Sequence, residues 1–246
     1  MGNWRKNALQ KLVFVLPTLN EEKALPLVLH EVRDSATSLA REGFSSEIIV
    51  VDGGSRDNTV EIAKSMGACV LHSPQGYGIQ YQRAIEQCRG DIVITGDADF
   101  SYPFSEVPKL LKLFLDENLD FLTTNRFAGL QEESMTATHM IGNRVLTFLT
   151  NALFDLDIED SQSGMWVFRR SFFDTLDVCD TGMSFSQAIK IAAFRTSKKV
   201  LEVPISYRAR KGKAKLHTLR DGVDNFMQLL RRKSACKQSR HKGDAR

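Results

Sequence analysis

Apolar runs four to five residues long recur through the first half of the chain, and between them the apolar positions fall three and four residues apart. The runs at residues 12–16, 47–51, 69–72, 91–95 and 120–124 read as strands, because short β-branched stretches suit a pleated, buried surface. The 3.6-residue spacing predicts helices over 24–40, 59–66, 78–88 and 106–116, with Thr18, Asn20, Asp57 and Ser105 as starting or capping residues. Strand and helix alternating in this way predict βαβ units, an α/β fold and a mostly parallel central sheet flanked by helices. The pattern then changes. Residues 129–138 are polar, 141–154 form an apolar helical run, 155–164 are irregular and 165–168 read as a strand. A helix over 186–195, a strand over 200–203, a basic loop over 208–215 and a final helix over 218–232 follow. The expected organisation is one domain over 1–232 with a frayed, flexible basic tail over 233–246.

Composition narrows the class. With 42% hydrophobic and 26% charged residues over 246 positions, the chain matches a soluble globular protein rather than a disordered or collagen-like one. No uncharged apolar run reaches the roughly 18 to 20 residues that cross a bilayer, and residues 11–16 are too short for a signal-peptide core. Cys69, Cys88, Cys179 and Cys236 are spaced by 19, 91 and 57 residues, which is neither a metal pattern nor a disulfide framework. A cytoplasmic location is the expectation.

The net charge of +3 hides an asymmetry: residues 208–246 hold 13 Lys/Arg against 3 acids, leaving 20 against 27 before them. Such a stretch is either a solvated face or a surface for an anionic partner, each basic side chain near an anionic bilayer adding about 1 kcal/mol. Nucleic acid is not expected, since no zinc-finger spacing, RNA-binding aromatic motif or helix-turn-helix accompanies the charge.

In a parallel sheet, ligands bind beyond the carboxyl ends of the strands. There the chain places Pro17-Thr18-Leu19-Asn20-Glu21-Glu22, then Asp52-Gly53-Gly54-Ser55-Arg56-Asp57, then Gly96-Asp97-Ala98-Asp99. Three acidic clusters would crowd one rim, a repulsion that a divalent cation or a hydrogen-bonding ligand would offset. Asp97 and Asp99 can chelate Mg²⁺ or Mn²⁺ together with phosphate oxygens, although alone the pair also suits turn chemistry. Asp52 suits either a base or ribose contact or a tight turn. Gly76-Tyr77-Gly78 opens a helix whose free N–H groups can face phosphate, or serves as an ordinary turn.

Together these motifs resemble the nucleotide-sugar glycosyltransferases of family 2, which have the GT-A fold, and within them the dolichyl-phosphate mannose and glucose synthases, over about residues 11–231. Pro17-Thr18-Leu19-Asn20-Glu21-Glu22 looks like the opening motif, Val51-Asp52-Gly53-Gly54-Ser55-Arg56-Asp57-Asn58-Thr59 like the second nucleoside motif, and Asp97-Ala98-Asp99 like the metal motif. Asp160-Ser161-Gln162-Ser163-Gly164, Phe168-Arg169-Arg170, Glu202-Val203-Pro204-Ile205 and Lys213-Ala214-Lys215-Leu216 are similar to later stretches of that branch. The chain departs from the pattern at Tyr77, where relatives often carry Lys, and at Ser101 and Ser184.

The resemblance implies inverting transfer of a hexose from a nucleotide-diphosphate sugar, GDP-mannose or UDP-glucose, to a polyprenyl or dolichyl phosphate. It implies donor contacts at Pro17, Asn20, Glu21, Asp52, Gly76 and Gly78, metal at Asp97 and Asp99, and an acceptor clamp drawn from Arg126, Arg144, Gln162, Arg208 and Lys215. Asp160 joins Asp97, Asp99 and Arg126 as a catalytic candidate. Two alternatives stay open: a soluble glycosyltransferase with a hydroxyl acceptor, for which Asp160 is the obvious base, and a noncatalytic nucleotide-sugar-binding protein. A lipid acceptor also implies peripheral contact with the cytoplasmic face of a membrane, for which Val223, Phe226, Met227, Leu229 and Leu230 supply an apolar face if they do not pack on the domain.

Overall fold

The computed structural model describes residues 10–131, 134–212 and 218–243. In chain order the elements are β1 (Lys11–Thr18), α1 (Leu25–Arg41), β2 (Ser45–Asp52), α2 (Thr59–Ser65), β3 (Cys69–His72), α3 (Tyr77–Gln87), β4 (Ile92–Thr95), α4 (Val107–Asp116), β5 (Phe121–Asn125), α5 (Ala137–Phe154), β6 (Trp166–Arg169), α6 (Arg170–Phe173), α7 (Phe185–Thr196), β7 (Val200–Pro204) and α8 (Thr218–Gly243). The seven strands form one sheet in the order β3-β2-β1-β4-β6-β5-β7. All pairings are parallel except those of β6, which runs antiparallel to both β4 and β5.

The two-residue period of the strands divides the core. Leu12, Phe14 and Leu16 of β1, with Ile92, Ile94, Leu122 and Val167, point to one face, where α1, α2 and α4 cover them. Val13, Val15, Val93, Phe121, Trp166 and Phe168 point to the other, against Tyr81, Ala84 and Ile85 of α3 and Phe185, Ile189 and Ala193 of α7. In α4 the buried Val107, Leu110, Leu111 and Phe114 fall at i, i+3, i+4 and i+7, the stripe that a helix lying on a sheet requires. Burial of each such side chain contributes about 1.5 to 3 kcal/mol. Leu146 and Phe154 of α5 meet Leu229 of α8 and Ile191 of α7 in a third cluster.

Reversal of β6 has a positional effect. Because the other six strands share one direction, their carboxyl ends at Thr18, Asp52, His72, Thr95, Asn125 and Pro204 lie along one rim, and the amino end of β6 at Trp166 joins them. The segment before β6 thus reaches the same rim as the segments after β1, β2 and β4. The final helix runs to Gly243, beyond the 218–232 that the sequence pattern predicts for it. No proline and no internal glycine interrupts 233–242, where Lys, Arg, Gln and Ala favour helix. Among the described residues no helix is long and apolar enough to cross a membrane.

Candidate active site

A cleft of about 550 Å³ opens at that rim, lined by Pro17 near the end of β1 and Glu21 beyond it, Gly76 capping α3 with Tyr77 and Gln80 in its first turn, and Asp97 and Asp99 after β4. Thr181–Ser184 before α7, Arg210 after β7, and Asp224, Asn225 and Gln228 of α8 complete the lining, and Thr181 sits against the start of α3, its carbonyl accepting from the Ile79 N–H at 3.2 Å. The strand β4 is buried throughout, so the chain leaving it delivers both aspartates to the edge of the core.

Asp97 Oδ1 accepts a hydrogen bond from the Tyr77 hydroxyl at 2.8 Å, whereas among the described residues its Oδ2 accepts none. Burial, with the charge of Asp99 beside it, pushes the Asp97 carboxyl up to about 6. Asp99 Oδ1 accepts from the Ser101 hydroxyl at 2.5 Å and the Ser101 N–H at 3.0 Å, and Oδ2 lies 3.3 Å from Arg210. Two adjacent carboxylates whose charges oppose each other suit a divalent cation, which removes that repulsion. Among the described residues no cluster of three His, Cys, Asp or Glu gathers here. Mg²⁺ or Mn²⁺ at these two carboxylates would take its remaining ligands from water and substrate phosphate. Gly164, on the segment before β6, closes against the pair: a Cβ there would lie 2.3 Å from the Tyr77 hydroxyl and 3.3 Å from Asp97 Oδ1.

Arg126 and Asp160 come together below the cleft rather than lining it. The Arg126 Nε and Nη2 donate to the two oxygens of Asp160 at 2.7 and 3.0 Å, and the backbone N–H of Arg126 adds a third bond at 3.1 Å. Burial alone would raise the Asp160 carboxyl, but the guanidinium reverses this and holds it at about 2. Arg126 also lies over the Tyr207 ring, 5.3 Å from its centroid. Both acid oxygens are thus engaged, which makes Asp160 a poor proton acceptor. Beneath the pair, Lys190 of α7 donates to the Asp160 carbonyl, while Glu202 of β7 accepts from the Glu159 and Asp160 N–H groups. Sequence reasoning did not single out Lys190; a lysine in an otherwise apolar helical stretch was the available signal.

The remaining sequence-predicted residues divide. Asp52 lies beside the cleft and accepts from the Gly54 and Ser55 N–H groups at 3.1 Å, the tight-turn arrangement, with His72 Nδ1 at 3.6 Å. Asn20, at φ 49°, accepts from the Arg56 N–H at 2.7 Å and so joins the loops after β1 and β2. Gly76 lines the cleft at φ 149°, whereas Gly78 packs where a Cβ would come within 2.1 Å of the Asp180 carbonyl. Gln162 accepts from the Asn225 amide of α8 at 3.3 Å. Arg144 stands exposed on α5 over the Phe127 ring, away from the cleft lining.

Arg208 does not reach the cleft. It pairs bidentately with Glu31 at 2.7 and 3.0 Å and stacks 3.9 Å over Phe100. Arg210 takes the place at the cleft, because the Arg208 N–H bonds the Ser101 carbonyl and the Lys211 N–H bonds the Asp99 carbonyl, which sets Arg210 beside Asp99. Lys213 and Lys215 lie outside the described residues. Gln80, also absent from the sequence reading, ties the ends of β1 and β2 by donating to the Thr18 and Val51 carbonyls at 3.0 and 2.6 Å.

This mostly parallel seven-stranded sheet flanked by helices has the GT-A glycosyltransferase fold. Residues 13–177 match Glycosyl transferase family 2, and the chain belongs to that family. It is 36% identical over 86% of its length to the low-salt glycan biosynthesis hexosyltransferase Agl6 of Haloferax volcanii, and it spans only 51% of that relative. It is 33% identical over 86% of its length to the dolichyl-phosphate hexose transferase of the same organism, covering 89% of it. Among solved structures, glucosyl-3-phosphoglycerate synthase from Mycobacterium tuberculosis, in complex with Mn²⁺, UDP and phosphoglyceric acid, superposes with a TM-score of 0.73 at 22% identity, over 91% of this chain and 78% of that one.

Proposed function

We propose that the chain transfers a hexose, mannose or glucose, from a nucleotide-diphosphate sugar to a polyprenyl phosphate with inversion at the anomeric carbon. The carrying observation is the cleft that Asp97 and Asp99 line together, with Arg210 3.3 Å from Asp99. The names of the two Haloferax relatives support hexosyl transfer, and the second supports a dolichyl-phosphate acceptor. The Mn²⁺ and UDP of the mycobacterial neighbour support a metal-bound nucleotide donor.

Pro17, Glu21 and Gly76 would wall the donor, and Asp97 and Asp99 would hold Mg²⁺ or Mn²⁺. A bound divalent cation supplies charge neutralisation for the departing diphosphate. Arg210 adds positive charge on the same side, and burial of the site strengthens these interactions relative to water. A phosphate monoester has its second pKa near about 6, so at neutral pH the acceptor already carries a nucleophilic oxygen and needs no strong base. The engagement of both Asp160 oxygens by Arg126 favours this acceptor over a hydroxyl, whose proton would need a base. Arg126 then serves by holding the segment that carries Gln162 and Gly164 against the cleft.

Purified protein incubated with radiolabelled GDP-mannose or UDP-glucose, Mn²⁺ and a detergent-dispersed polyprenyl phosphate is expected to move label into the organic phase. Label passing instead to a soluble hydroxyl acceptor would select the alternative enzyme, and nucleotide binding without transfer for every donor would select a binding protein.

A further inference from the structure

Among the described residues, the buried side-chain polar atoms that no protein group satisfies are Thr123 Oγ1, Arg208 Nε and Asn225 Oδ1, and of these residues only Asn225 lines the cleft. A buried acceptor left unpaired carries an uncompensated desolvation cost, so one held at a cleft points to a donor that the ligand brings. Asn225 is 7% exposed on α8, where Asp224 and Gln228 line the cleft with it. Its amide nitrogen is already engaged, donating to Gln162 Oε1 at 3.3 Å. The oxygen is the polar atom left over. Packing fixes where it stands: Leu229, one turn further along α8, meets Leu146, Phe154 and Ile191, and Arg232 donates to the Asp177 carbonyl at 2.9 Å and to the Asp180 carboxylate. Gln162 in turn is two residues from Gly164, which closes against Asp97. The partner of Asn225 therefore belongs to the same short segment that packs on the paired aspartates.

We propose that Asn225 Oδ1 accepts a hydrogen bond from a hydroxyl of the transferred hexose, so that α8 reads the sugar. Chemistry selects this group. Phosphate oxygens of donor and acceptor are themselves negatively charged acceptors and do not suit a second acceptor, whereas a sugar hydroxyl has a proton to give. The hexose of a nucleotide sugar is bonded directly to the diphosphate, and a diphosphate held at Asp97 brings it to the segment that carries Gln162 and Gly164. The assignment rests on the nucleotide-sugar reading of the cleft and is indifferent to the acceptor.

The test is calorimetric titration, with Mn²⁺ present, of the full chain and its Asn225→Leu variant against UDP, UDP-glucose, GDP and GDP-mannose. The variant is expected to bind the nucleotides as wild type does and the preferred sugar nucleotide about tenfold more weakly. The 2-, 3-, 4- and 6-deoxy forms of that sugar nucleotide supply the ligand side of the same square. One of them is expected to cost wild type about tenfold, because a site built to bond a hydroxyl rejects an analogue lacking it, and to cost the variant less than about twofold. A merely structural role for Asn225 would leave the deoxy penalty the same in both proteins. Should Asn225→Leu melt well below wild type, Asn225→Ala takes its place in the square. Equal sugar-nucleotide affinity in the two proteins, an equal loss for nucleotide and sugar nucleotide, or deoxy forms that cost both proteins alike overturns the assignment and leaves the donor reading standing. Wild type that binds neither nucleotide, with or without its sugar, removes the donor reading and this assignment with it.

Discussion

Asp97 and Asp99 differ in what holds them, and that difference sets how each can be tested. Asp99 spends one oxygen on Ser101 and faces Arg210 with the other, whereas Asp97 has a tyrosine hydroxyl on Oδ1. Replacing Asp99 with Asn removes one of two charges opposed to each other, so the fold should be retained while Mn²⁺ affinity falls at least tenfold; titration calorimetry with Mn²⁺ and nucleotide reads this directly. An Asp99→Asn protein that binds Mn²⁺ as tightly as wild type would remove the metal assignment. At the Arg126–Asp160 pair the expectation is the reverse, a stability effect first. Asp160→Asn leaves a buried guanidinium without its counter-charge, at a cost of about 3 to 5 kcal/mol in chemical denaturation. Because the Asp160 carboxyl is held at about 2 against an ordinary 3.8, its contribution is complete above the higher value and is lost as pH falls through the lower one. Both aspartate motifs were legible in the sequence, since a D-x-D after an apolar run announces its own position. The engagement of Asp160 by Arg126 was not, because their 34-residue separation closes only when the segment before β6 folds back on the end of β5.

Elements, not single residues, decide which groups face the cleft. Alternation with helices set the ends of the first five strands on one rim, but nothing in the composition of 165–168 marks the strand there as reversed. Direction follows from the connection, and the irregular stretch before it carries no periodicity to read. The choice between Arg208 and Arg210 was hidden for a similar reason: it depends on which carbonyls of 99–101 the passing backbone meets. Lys190 shows how α7 and β7 secure the reversed strand's lead-in segment. Burial holds its ammonium down at about 8 against 10.5, with Asp160 and Glu202 pulling the other way. Between those values the unfolded chain keeps a proton that the folded chain has released, so this group makes the protein more stable as pH rises across the window. The stability of wild type relative to Lys190→Met should accordingly grow from pH of about 8 toward 10.5, followed by urea unfolding at a series of pH values. A difference that stays level or shrinks would argue that the ammonium is not buried as described.

Across the whole molecule, the first half builds β3-β2-β1-β4 from contiguous chain, and the rest supplies β6, β5, β7 and, at the cleft, the Thr181–Ser184 segment, Arg210 and α8. The acidic excess of the body and the basic excess of residues 208–246 follow that division only loosely, which is why charge counting alone could not say that α8 reaches the cleft. Three distant segments meet where Tyr77, Asp97 and Gly164 touch. Gly164→Ala should therefore depress both folding yield and nucleotide affinity, while the same change made together with Tyr77→Phe should restore the folding yield; expression and thermal melting of the four proteins in that square give the answer. The same crowding imposes an order on divergence. A lineage descended from this chain can accept a methyl group at position 164 only after the hydroxyl at position 77 is gone, so the tyrosine acts as a historical ratchet that keeps one arrangement of the cleft while its walls remain free to vary.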